Sequence, residues 1–584
     1  MATTDTINCV LIANRGEIAV RIARTARDLG IRSVAIYSEA DAGALHTRVA
    51  DEAYALPGNS ATDTYLNVPA VLDIAIRAGA DAVHPGYGFL SENSEFARSV
   101  DQAGLKWIGP TPEAIDLLGD KIAARRVATE VGAPLAPGTS DPISDWEEAR
   151  SFAEEHGLPI AIKAAFGGGG RGLKVVDSMD EIEGAFNSAG REAMEAFGRA
   201  ECYVEKFLTQ PRHVEAQVLA DTHGNVVVVG TRDCSTQRRF QKLIEEAPAP
   251  FLTDKQREGI IEGARSICQK VGYTGAGTVE YIVSEDGTIS FLEVNTRVQV
   301  EHPISEIVTG VDIVAEQFRI AAGEPLSISE DPSSDGHAFE FRINAEDILN
   351  GFAPCPGTIV HFEAPTGPGI RVDAGVRSGS IVPPYYDSLI AKLIVWGPTR
   401  DVAIARARQA LREFDVEGVR TVLPFHRDMM DHPALTGEEF GVFTDWVDHN
   451  YRPSASHQVQ NVEAIYAQRR TMAVEIDGKL VNIGVPAELF SAGASGGGNG
   501  DNRTSSSASS EGDAPDGAVT TNFEGTLIDW DVSDGDEVSE GDKIATIEAM
   551  KMESPVKAPQ SGIISLQASA GDRVSPHAVI ATIS

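Results

Sequence analysis

The run Gly167-Gly168-Gly169-Gly170-Arg171-Gly172-Leu173-Lys174-Val175-Val176 comes shortly after the strand-like segment Ile160-Ala161-Ile162-Lys163. Its glycines match the spacing of a dinucleotide fingerprint, but that fingerprint requires a helix directly after the glycines. Here residues 173–176 predict a strand, so the pattern favours two strands joined by a glycine loop. Backbone N–H groups in such a loop approach phosphate without obstruction by Cβ atoms, and Lys163 is placed to reach the same phosphates. The alternative is a hairpin that is merely flexible, although so many consecutive glycines are costly to order.

The sequence on either side of this loop predicts the surrounding domains. Before it, short apolar strands alternate with amphipathic helices: strands at 8–13, 34–37 and 81–84, and helices at 16–29 and 68–78. This alternation is typical of an open, largely parallel sheet. From residue 160 onward strands predominate, with a helix at 254–271, which predicts a mixed α+β domain. Further strands and a helix at 401–413 predict a third lobe that ends near residue 448.

Residues 291–302 carry a regular alternation of apolar and polar side chains. Read with a period of two, they predict a strand with Leu292, Val294, Thr296, Val298 and Val300 on one face, and Glu293, Asn295, Arg297, Gln299 and Glu301 on the other. The alternative is a half-exposed strand whose polar face is simply solvated, as is common in antiparallel sheets. This segment alone supports the two interpretations equally.

The polar face has the composition of a metal and anion site. Glu280, on a predicted neighbouring strand, adds a further carboxylate. Hard oxygen ligands close to phosphates are what Mg²⁺ requires. Arg297 offers a planar fork for a small oxyanion, and Glu301 is a candidate general base. Residues 233–242 concentrate three basic side chains, which favours an anionic substrate, but glutamates follow at once and a salt-bridged surface is equally compatible.

Composition narrows the function classes. The 584 residues carry a formal net charge of −37 and a pI of about 4.7. We therefore expect no nucleic acid and no membrane among the partners, because both require a local excess of Lys and Arg. No stretch reaches the length of a membrane span, and no signal peptide is predicted, so we expect a cytoplasmic protein. The five cysteines show no CxxC spacing, which favours reduced thiols that bind no metal.

The C-terminal part predicts a tethered module. Residues 491–517 contain no Leu, Ile, Val, Met, Phe, Trp or Tyr, and we expect a flexible linker there. Residues 518–584 contain an internal repeat in which 524–527, 534–538 and 544–547 are echoed by 561–564, 570–574 and 580–583. Duplicated short strands with glycine turns predict a small two-fold β-sandwich. The word Glu548-Ala549-Met550-Lys551-Met552 falls between the copies, where a hairpin turn is expected.

Several longer sequence motifs carry a resemblance to a known family. The chain resembles biotin carboxylase, an ATP-grasp enzyme, over about residues 7–450, and a biotin carboxyl carrier domain over 518–584. The words are Ala13-Asn14-Arg15-Gly16-Glu17-Ile18-Ala19, His84-Pro85-Gly86-Tyr87-Gly88-Phe89-Leu90-Ser91-Glu92-Asn93, Lys163 with the glycine loop, the run from Glu293 to Pro303, Phe341-Arg342-Ile343-Asn344-Ala345-Glu346-Asp347, and the word 548–552. The fused arrangement is similar to the α-subunit of bacterial acetyl-/propionyl-CoA carboxylases, especially of the actinobacterial kind.

The resemblance implies a division into six segments. These are a Rossmann-like biotin carboxylase N-terminal lobe at 1–118, an ATP-grasp domain at 119–330 and a mixed C-terminal lobe at 331–450. A small connecting segment with a hairpin follows at 451–490, then the linker at 491–517 and an all-β biotinyl carrier domain at 518–584.

The resemblance also implies residue roles. ATP would be bound by Lys121, Lys163, Gly168, Gly169, Gly170, Glu205, Lys206, Leu208, His213 and Gln237. Mg²⁺ or Mn²⁺ would be held by Glu280, Glu293 and Asn295. Bicarbonate would be bound by Lys242, Arg297, Gln299 and Val300, and deprotonated by Glu301. Arg342 would stabilise the biotin enolate, and Lys551 would carry biotin through an amide.

The implied reaction passes through carboxyphosphate, formed when bicarbonate attacks the γ-phosphate of ATP. Because this species hydrolyses readily, a closing lid such as the glycine flap is required. The implied partners are bicarbonate, a biotin protein ligase, further copies of this chain in a homo-oligomer, and a separate carboxyltransferase β-subunit. The sequence departs from the family pattern at Phe240, where many relatives have His, and by one added residue in the predicted turn at 284–287.

Four alternatives remain open on sequence grounds. Another ATP-grasp ligase would explain the glycine loop but not Lys551. A lipoyl carrier usually centres its word on Asp-Lys-Ala, whereas Met550 and Met552 flank the lysine here. An α-subunit of a pyruvate or methylcrotonyl-CoA system is compatible with the same motifs. A protein that serves only as a binding scaffold would give the polar residues at 293–301 no function.

Overall fold

The structure is a computed structural model that describes residues 6–139, 142–164, 173–197, 201–437, 441–454, 469–476, 479–486, 517–521, 525–549, 552–574 and 578–584. Three predictions therefore lie outside the described residues. They are the glycine loop with Gly168, Gly169 and Gly170, the linker up to residue 516, and Lys551.

The first lobe is an open parallel sheet with helices between its strands, as the sequence predicts. Its spatial order is β3-β2-β1-β4-β5, and every strand pair is parallel. The elements are β1 (Cys9–Ile12), α1 (Gly16–Asp28), β2 (Arg32–Tyr37), α2 (His46–Val49), β3 (Glu52–Ala55), α3 (Val68–Arg77), β4 (Ala82–His84), α4 (Ser94–Gln102), β5 (Lys106–Trp107) and α5 (Pro112–Gly119).

The next unit contains the strands on either side of the glycine loop. α6 (Lys121–Glu130) precedes it in the chain, and its elements are α7 (Trp146–His156), β6 (Ile160–Ala164), β7 (Leu173–Val176), α8 (Ile182–Phe197) and β8 (Cys202–Lys206). β6 lies between β7 and β8 and is antiparallel to both. The predicted strands on both sides of the glycine run are therefore present, and a strand rather than the helix of a dinucleotide-binding turn follows it.

An eight-stranded sheet forms the middle of the molecule. Its order is β13-β12-β9-β10-β11-β14-β21-β19. The first part of the chain that builds it supplies β9 (Arg212–Ala220), β10 (Val226–Arg238), β11 (Gln241–Ala247), α9 (Asp254–Val271), β12 (Gly275–Val283), β13 (Ile289–Asn295), α10 (His302–Thr309) and α11 (Ile313–Ala321). α9 has the predicted bounds because Thr253 and Gln256 form a capping box before it and Gly272 ends it in a left-handed conformation.

The third lobe continues the same sheet. It contains β14 (His337–Asn344), β15 (Glu346–Asp347), β16 (Ala353–Pro354), β17 (Gly357–Thr358), β18 (His361–Glu363), β19 (Ile370–Ala374), β20 (Ile381–Val382), β21 (Leu389–Gly397), α12 (Arg400–Glu413), β22 (Asp415–Glu417), α13 (Leu423–Asp431), α14 (Pro433–Thr436) and α15 (Trp446–Asn450). β11 pairs with β14, with Ile244 opposite Phe341. The sheet therefore crosses the boundary drawn at residue 330, so the second and third segments form one continuous scaffold.

One local prediction was wrong. The strand expected over 291–302 ends at Asn295, and α10 begins at His302. Pro303 lies in the first turn of this helix, where its fixed φ is favourable, so the run Glu301-His302-Pro303 contained a helix-start signal. The period-two pattern also fails inside the strand, because Leu292 is 43% exposed.

In the described residues from 469 onward, every regular element is a strand. β23 (Arg469–Ile476) and β24 (Lys479–Pro486) form the predicted hairpin. The C-terminal module comprises β25 (Ala518–Thr520), β26 (Gly525–Trp530), β27 (Glu537–Val538), β28 (Lys543–Ala549), β29 (Met552–Lys557), β30 (Gly562–Leu566), β31 (Arg573–Val574) and β32 (Val579–Ile583). Its two four-stranded sheets have the orders β25-β32-β30-β27 and β29-β28-β26-β31, so each repeat lends a strand to the other's sheet. This confirms the predicted two-fold sandwich.

Two further expectations concern cysteines and membranes. All five cysteines are free thiols, as the sequence predicts. Among the described residues, no helix has both the length and the apolar character needed to cross a bilayer.

The C-terminal module has a core of its own, which permits a matched test. Leu527 is fully buried within this core, whereas the adjacent Ile528 is 40% exposed. Leu527→Ala should destabilise the module by about 2–5 kcal/mol, because a cavity remains, and Ile528→Ala by less than about 0.5 kcal/mol. Differential scanning calorimetry of the full chain should therefore show one transition shifted to lower temperature in Leu527→Ala alone. Equal shifts in the two variants, or a shift of every transition, would contradict an autonomous core.

Candidate active site

Lys242 lies at the centre of a cluster of buried charges. Its Nζ donates to Glu215 Oε2 at 2.7 Å, Glu280 Oε1 at 3.0 Å and Glu301 Oε1 at 2.6 Å. The carboxylates come from β9, β12 and the start of α10, and Lys242 comes from β11. Burial alone would lower the pKa of Lys242, but the negative charges of Glu215, Glu280 and Glu301 raise it well above its usual value. The ammonium therefore stays charged and uses each of its three donors on a different carboxylate.

Glu301 is held between two cations. Its Oε2 accepts from Arg342 Nη2 at 3.0 Å, while its Oε1 accepts from Lys242. Burial raises the pKa of Glu301, but the charges of Lys242, Arg342 and Arg232 outweigh it and hold the pKa well below its usual range. Glu301 is therefore ionised at neutral pH and is able to accept a proton.

Arg342 connects Glu301 to a second carboxylate. Its Nε donates to Glu245 Oε1 at 2.5 Å, on the neighbouring strand β11. Burial raises the pKa of Glu245 to about 7, despite the opposing charge of Arg342. The guanidinium is largely buried, with 15% of its side chain exposed, and the negative charge of Glu245 and Glu301 raises its pKa above the usual value against the effect of burial. Arg342 is thus a fixed positive charge at the edge of the cluster.

The predicted polar row does not stay together. Asn295 ends β13, and the chain then turns away from the strand direction. Gln299 and Glu301 return to the buried cluster, where Gln299 Nε2 donates to Glu280 Oε1 at 2.8 Å. Arg297 pairs with Glu92 Oε2 of the first lobe at 2.9 Å, and its Nη2 donates to Asn295 Oδ1 at 3.1 Å. Arg297 therefore lies apart from the contacts of Lys242 and Glu301, although the sequence grouped the three together.

The residues expected to bind ATP occupy two areas. In the unit around the glycine loop, Lys163 pairs with Glu205, and Lys206 Nζ donates to the carbonyl of Leu158 at 3.0 Å. Leu208 is partly buried in the connection that follows β8. In the large sheet, Gln237 Nε2 lies 3.2 Å from His213 Nδ1 and donates to the carbonyl of Cys234 at 2.8 Å.

Lys121, at the start of α6, lies beside the large sheet. Its Nζ lies 3.5 Å from Glu293 Oε2, and its side chain is 81% exposed. The exposed ammonium is free to rotate toward an anion placed over β13.

The predicted metal ligands fit a hard cation. Glu280 and Glu293 are directly opposite each other on β12 and β13, and Asn295 is opposite Thr278 on the same strand pair. Directly opposite residues of an antiparallel pair lie on one face of the sheet. Asn295 Oδ1 accepts from Arg297 Nη2 at 3.1 Å, whereas its buried Nδ2 finds no hydrogen-bond partner among the described residues, so the amide is anchored at its oxygen only. Two carboxylates and an amide oxygen suit Mg²⁺ or Mn²⁺, with the remaining ligands from phosphate and water.

Sequence reasoning missed several residues of the site. Glu215 accepts from Lys242, Arg232 lies completely buried beside it, and Lys392 Nζ donates to the carbonyl of Val300 at 2.8 Å. A signal for Glu215 was available, because His213, Glu215 and Gln217 alternate with Val214, Ala216 and Val218 along β9. For Arg232 and Lys392 no local pattern distinguishes a buried cation from an exposed one.

Comparison with known protein families covers most of the chain. The description "Biotin carboxylase, N-terminal domain" matches residues 6–115, "Carbamoyl-phosphate synthase L chain, ATP binding domain" matches 120–329, and "Biotin carboxylase C-terminal domain" matches 340–449. "Biotin-requiring enzyme" matches 515–583.

Individual relatives agree with these matches. The chain is 52% identical to the biotin-dependent acyl-coenzyme A carboxylase alpha3 subunit of Mycobacterium leprae, over 98% of both chains. It is 50% identical to the biotin carboxylase of Pseudomonas aeruginosa, over 73% of this chain and 95% of that one. A solved structure of a biotin carboxylase–β,γ-ATP complex from Campylobacter jejuni superposes with a TM-score of 0.67 and 43% identity, over 76% of this chain and 99% of that one.

The charge balance around Lys242 predicts a pH-dependent stability change. Ionised Glu301 has a lowered folded-state pKa, so it contributes stability above its unfolded pKa of about 4.3 and loses it as the pH falls. Lys242→Met removes one of its cations and should raise that pKa. The loss of stability should therefore be small well below pH of about 4.3, grow as the pH rises through that value, and be largest near pH of about 7. Urea-unfolding midpoints of wild type and variant across this range measure the difference.

Lys121→Met is the matched control for this measurement. Its ammonium is 81% exposed, so the substitution should change stability by less than about 0.5 kcal/mol at every pH. A pH-independent offset for Lys242→Met would show that Glu301 does not depend on the Lys242 charge.

Proposed function

The chain belongs to the biotin carboxylase family and carries a biotin-requiring module at its C-terminal end, and from this premise we propose how its residues divide the work. The activity is ATP-dependent carboxylation of biotin, with the biotin attached covalently to the same chain. The observation that carries the proposal is the ionised Glu301 between Lys242 and Arg342, because it combines a base with two cations in one buried site.

Glu301 acts as the base for bicarbonate in this proposal. In the absence of substrate both of its oxygens accept from cations, which makes it a weak proton acceptor. A bicarbonate ion beside Lys242 competes for the ammonium donors and weakens their hold on Glu301. The pKa of Glu301 then rises toward a value suited to proton transfer. The same anion gains the amide of Gln299 and the backbone at Val300, whose carbonyl is anchored by Lys392.

The remaining charges serve the phosphate side of the reaction. Bicarbonate oxygen attacks the γ-phosphorus of ATP, the bond to ADP breaks, and the product is carboxyphosphate. Lys121, Lys163, Glu205, Lys206, Leu208, His213 and Gln237 bind the nucleotide. Glu280, Glu293 and Asn295 hold Mg²⁺ or Mn²⁺, which would neutralise phosphate charge. Positioning and charge neutralisation account for most of the catalysis in phosphoryl transfer.

Carboxyphosphate would break down to CO₂ and phosphate, the phosphate would take the ureido proton of biotin, and the ureido nitrogen would then bind the CO₂. Arg342 offers a fixed positive charge where negative charge develops on the oxygen of the biotin enolate, and Glu245 keeps its guanidinium in place. Gly168, Gly169 and Gly170 belong to the ATP-binding residues in this proposal, because glycines leave backbone N–H groups open to phosphate.

We propose that the C-terminal module presents Lys551. β28 and β29 are antiparallel neighbours whose pairing includes Ala549 opposite Met552, on either side of this residue in the sequence. The module also touches the rest of the chain: Arg573 lies 4.4 Å from the ring centre of Tyr385, and a cleft of about 430 Å³ separates residues 555–557 from Arg238 and Arg239. A tether keeps the module at an effective concentration in the millimolar range, roughly.

The proposed partners supply activities that the matched domains do not include. The matched families include a biotin carboxylase and a biotin-requiring module, and the relative from Mycobacterium leprae is an α-subunit of a biotin-dependent acyl-coenzyme A carboxylase. We propose a separate carboxyltransferase β-subunit that carboxylates acetyl- or propionyl-CoA, a biotin protein ligase that modifies Lys551, and association of several α-subunits. The chain alone should then carboxylate biotin and leave acyl-CoA unreacted.

Attachment of biotin should depend on one lysine. Coexpression with a biotin protein ligase should add the mass of one biotin to the intact chain, and Lys551→Arg should lose it. Lys557→Arg is the matched control, because Lys557 is an exposed lysine on the strand that follows Lys551. Retention of biotin in Lys551→Arg, or its loss in Lys557→Arg, would place the attachment elsewhere.

The role of Glu301 as the base is tested with free biotin as the acceptor of the carboxyl group. Purified chain should hydrolyse ATP in a bicarbonate-dependent manner that free biotin stimulates, and Glu301→Gln should lower this rate by about 100-fold or more. Glu285→Gln, at an exposed turn position, should keep the wild-type rate. ATP hydrolysis that proceeds equally without bicarbonate would favour another ATP-grasp ligase.

A further inference from the structure

Arg232 on β10 is a completely buried guanidinium whose partners lie on four different segments. Its Nε donates to Glu215 Oε1 at 2.5 Å, and its Nη1 donates to Gln217 Oε1 at 2.7 Å and Ser305 Oγ at 2.9 Å. Its Nη2 donates to Thr278 Oγ1 at 3.1 Å and Gln299 Oε1 at 3.0 Å. A guanidinium has five N–H donors, and these five bonds use all of them. Arg232 therefore has no donor left for a substrate.

The contact with Gln299 sets the orientation of that side chain. A guanidinium can only donate, so the amide must turn its oxygen toward Arg232. The amide nitrogen is then directed to the other side, where it donates to Glu280 Oε1 at 2.8 Å. Without Arg232 the amide oxygen would lose its hydrogen-bond donor, and only the bond to Glu280 would hold the amide. The amide is thus oriented from both ends, at its oxygen by Arg232 and at its nitrogen by Glu280.

The contact with Glu215 acts on Lys242 in the same way. Arg232 and Glu215 are directly opposite each other on β10 and β9. Because Oε1 of Glu215 accepts from Arg232, its Oε2 remains for Lys242 Nζ at 2.7 Å. The carboxylate is fully buried and fixed at both oxygens, so it fixes the ammonium of Lys242 in turn.

We infer that Arg232 is the positioning residue of the bicarbonate pocket: it orients the amide of Gln299 directly and the ammonium of Lys242 through Glu215. The inference rests on the proposed function, in which Gln299 and Lys242 bind bicarbonate. A purely structural role would instead treat Arg232 as one link among β9, β10, β12 and α10. The two roles predict changes in different kinetic parameters when the guanidinium of Arg232 is replaced.

The first variant is Arg232→Lys in the full, biotinylated chain. Lysine keeps the charge but cannot serve Glu215 and Gln299 in the same fixed geometry. Initial rates of ATP hydrolysis with free biotin should show a KM for bicarbonate raised about tenfold, as expected for one misplaced hydrogen bond, and a KM for ATP within about twofold of wild type. Ser305→Ala is the matched control: it removes a partner of Arg232 that contacts neither Gln299 nor Lys242, and should leave the KM for bicarbonate unchanged.

A second pair of variants keeps the test informative if Arg232→Lys does not fold. Arg232→Met combined with Glu215→Gln removes a buried cation and a buried anion together, and Glu215→Gln alone is its reference. The double variant should have the higher KM for bicarbonate, because the amide of Gln299 has lost its anchor. In a Gln299→Met background, Arg232→Lys should raise the KM for bicarbonate by a smaller factor than it does in wild type.

The outcomes separate this inference from the proposed function. Wild-type protein that hydrolyses ATP independently of bicarbonate would overturn the proposed function. Bicarbonate-dependent wild type, with an unchanged KM for bicarbonate in Arg232→Lys or in the double variant relative to Glu215→Gln, would overturn the role of Arg232 alone.

Discussion

The structure depends on one shared cation, the buried ammonium of Lys242 among the carboxylates of Glu215, Glu280 and Glu301. Removal of so many charges from water carries a desolvation cost of several kcal/mol for each ion. The cost is offset only when every charge meets an opposite charge at hydrogen-bonding distance. That requirement ties β9, β11, β12 and the start of α10 together, because each supplies one member of the cluster. It also leaves the site with a base, Glu301, that stays ionised without substrate.

The continuous sheet explains how charges from distant segments meet. Lys242 and Glu245 lie on β11, and Arg342 lies on β14, which pairs with β11 across the predicted boundary of two domains. The first lobe reaches the same region through Glu17, whose carboxylate lies 3.2 Å from the Nζ of buried Lys392. Lys392 in turn holds the carbonyl of Val300. The three lobes are therefore joined at the pocket itself, and a change in their packing alters the site directly.

The C-terminal module is packed separately from the lobes that form the pocket. Its core contains residues from 519 to 583 only, and its two sheets exchange strands between the two sequence repeats. A module with such a core does not depend on the other lobes for its packing. This separation suits a chain in which one part carries out the chemistry and another carries the product. The cation–π contact of Arg573 with Tyr385 is small by comparison, and a contact of this kind contributes about 0.5–1 kcal/mol at an exposed position.

Much of this protein could be predicted from residue order. The parallel first lobe, the strands around the glycine loop, helix α9 and the two-fold module all follow from local periodicity and turn residues, which act over a few neighbouring positions. The identities of Lys242, Glu280, Glu301 and Arg342 as candidate residues were also available, because long motifs carry them. Tertiary structure alone decided which of them meet: the chain leaves the strand after Asn295, so Glu301 joins Lys242 while Arg297 turns to Glu92. It alone buried Arg232 and Lys392, since a cation's burial depends on acceptors supplied by segments far away in the sequence.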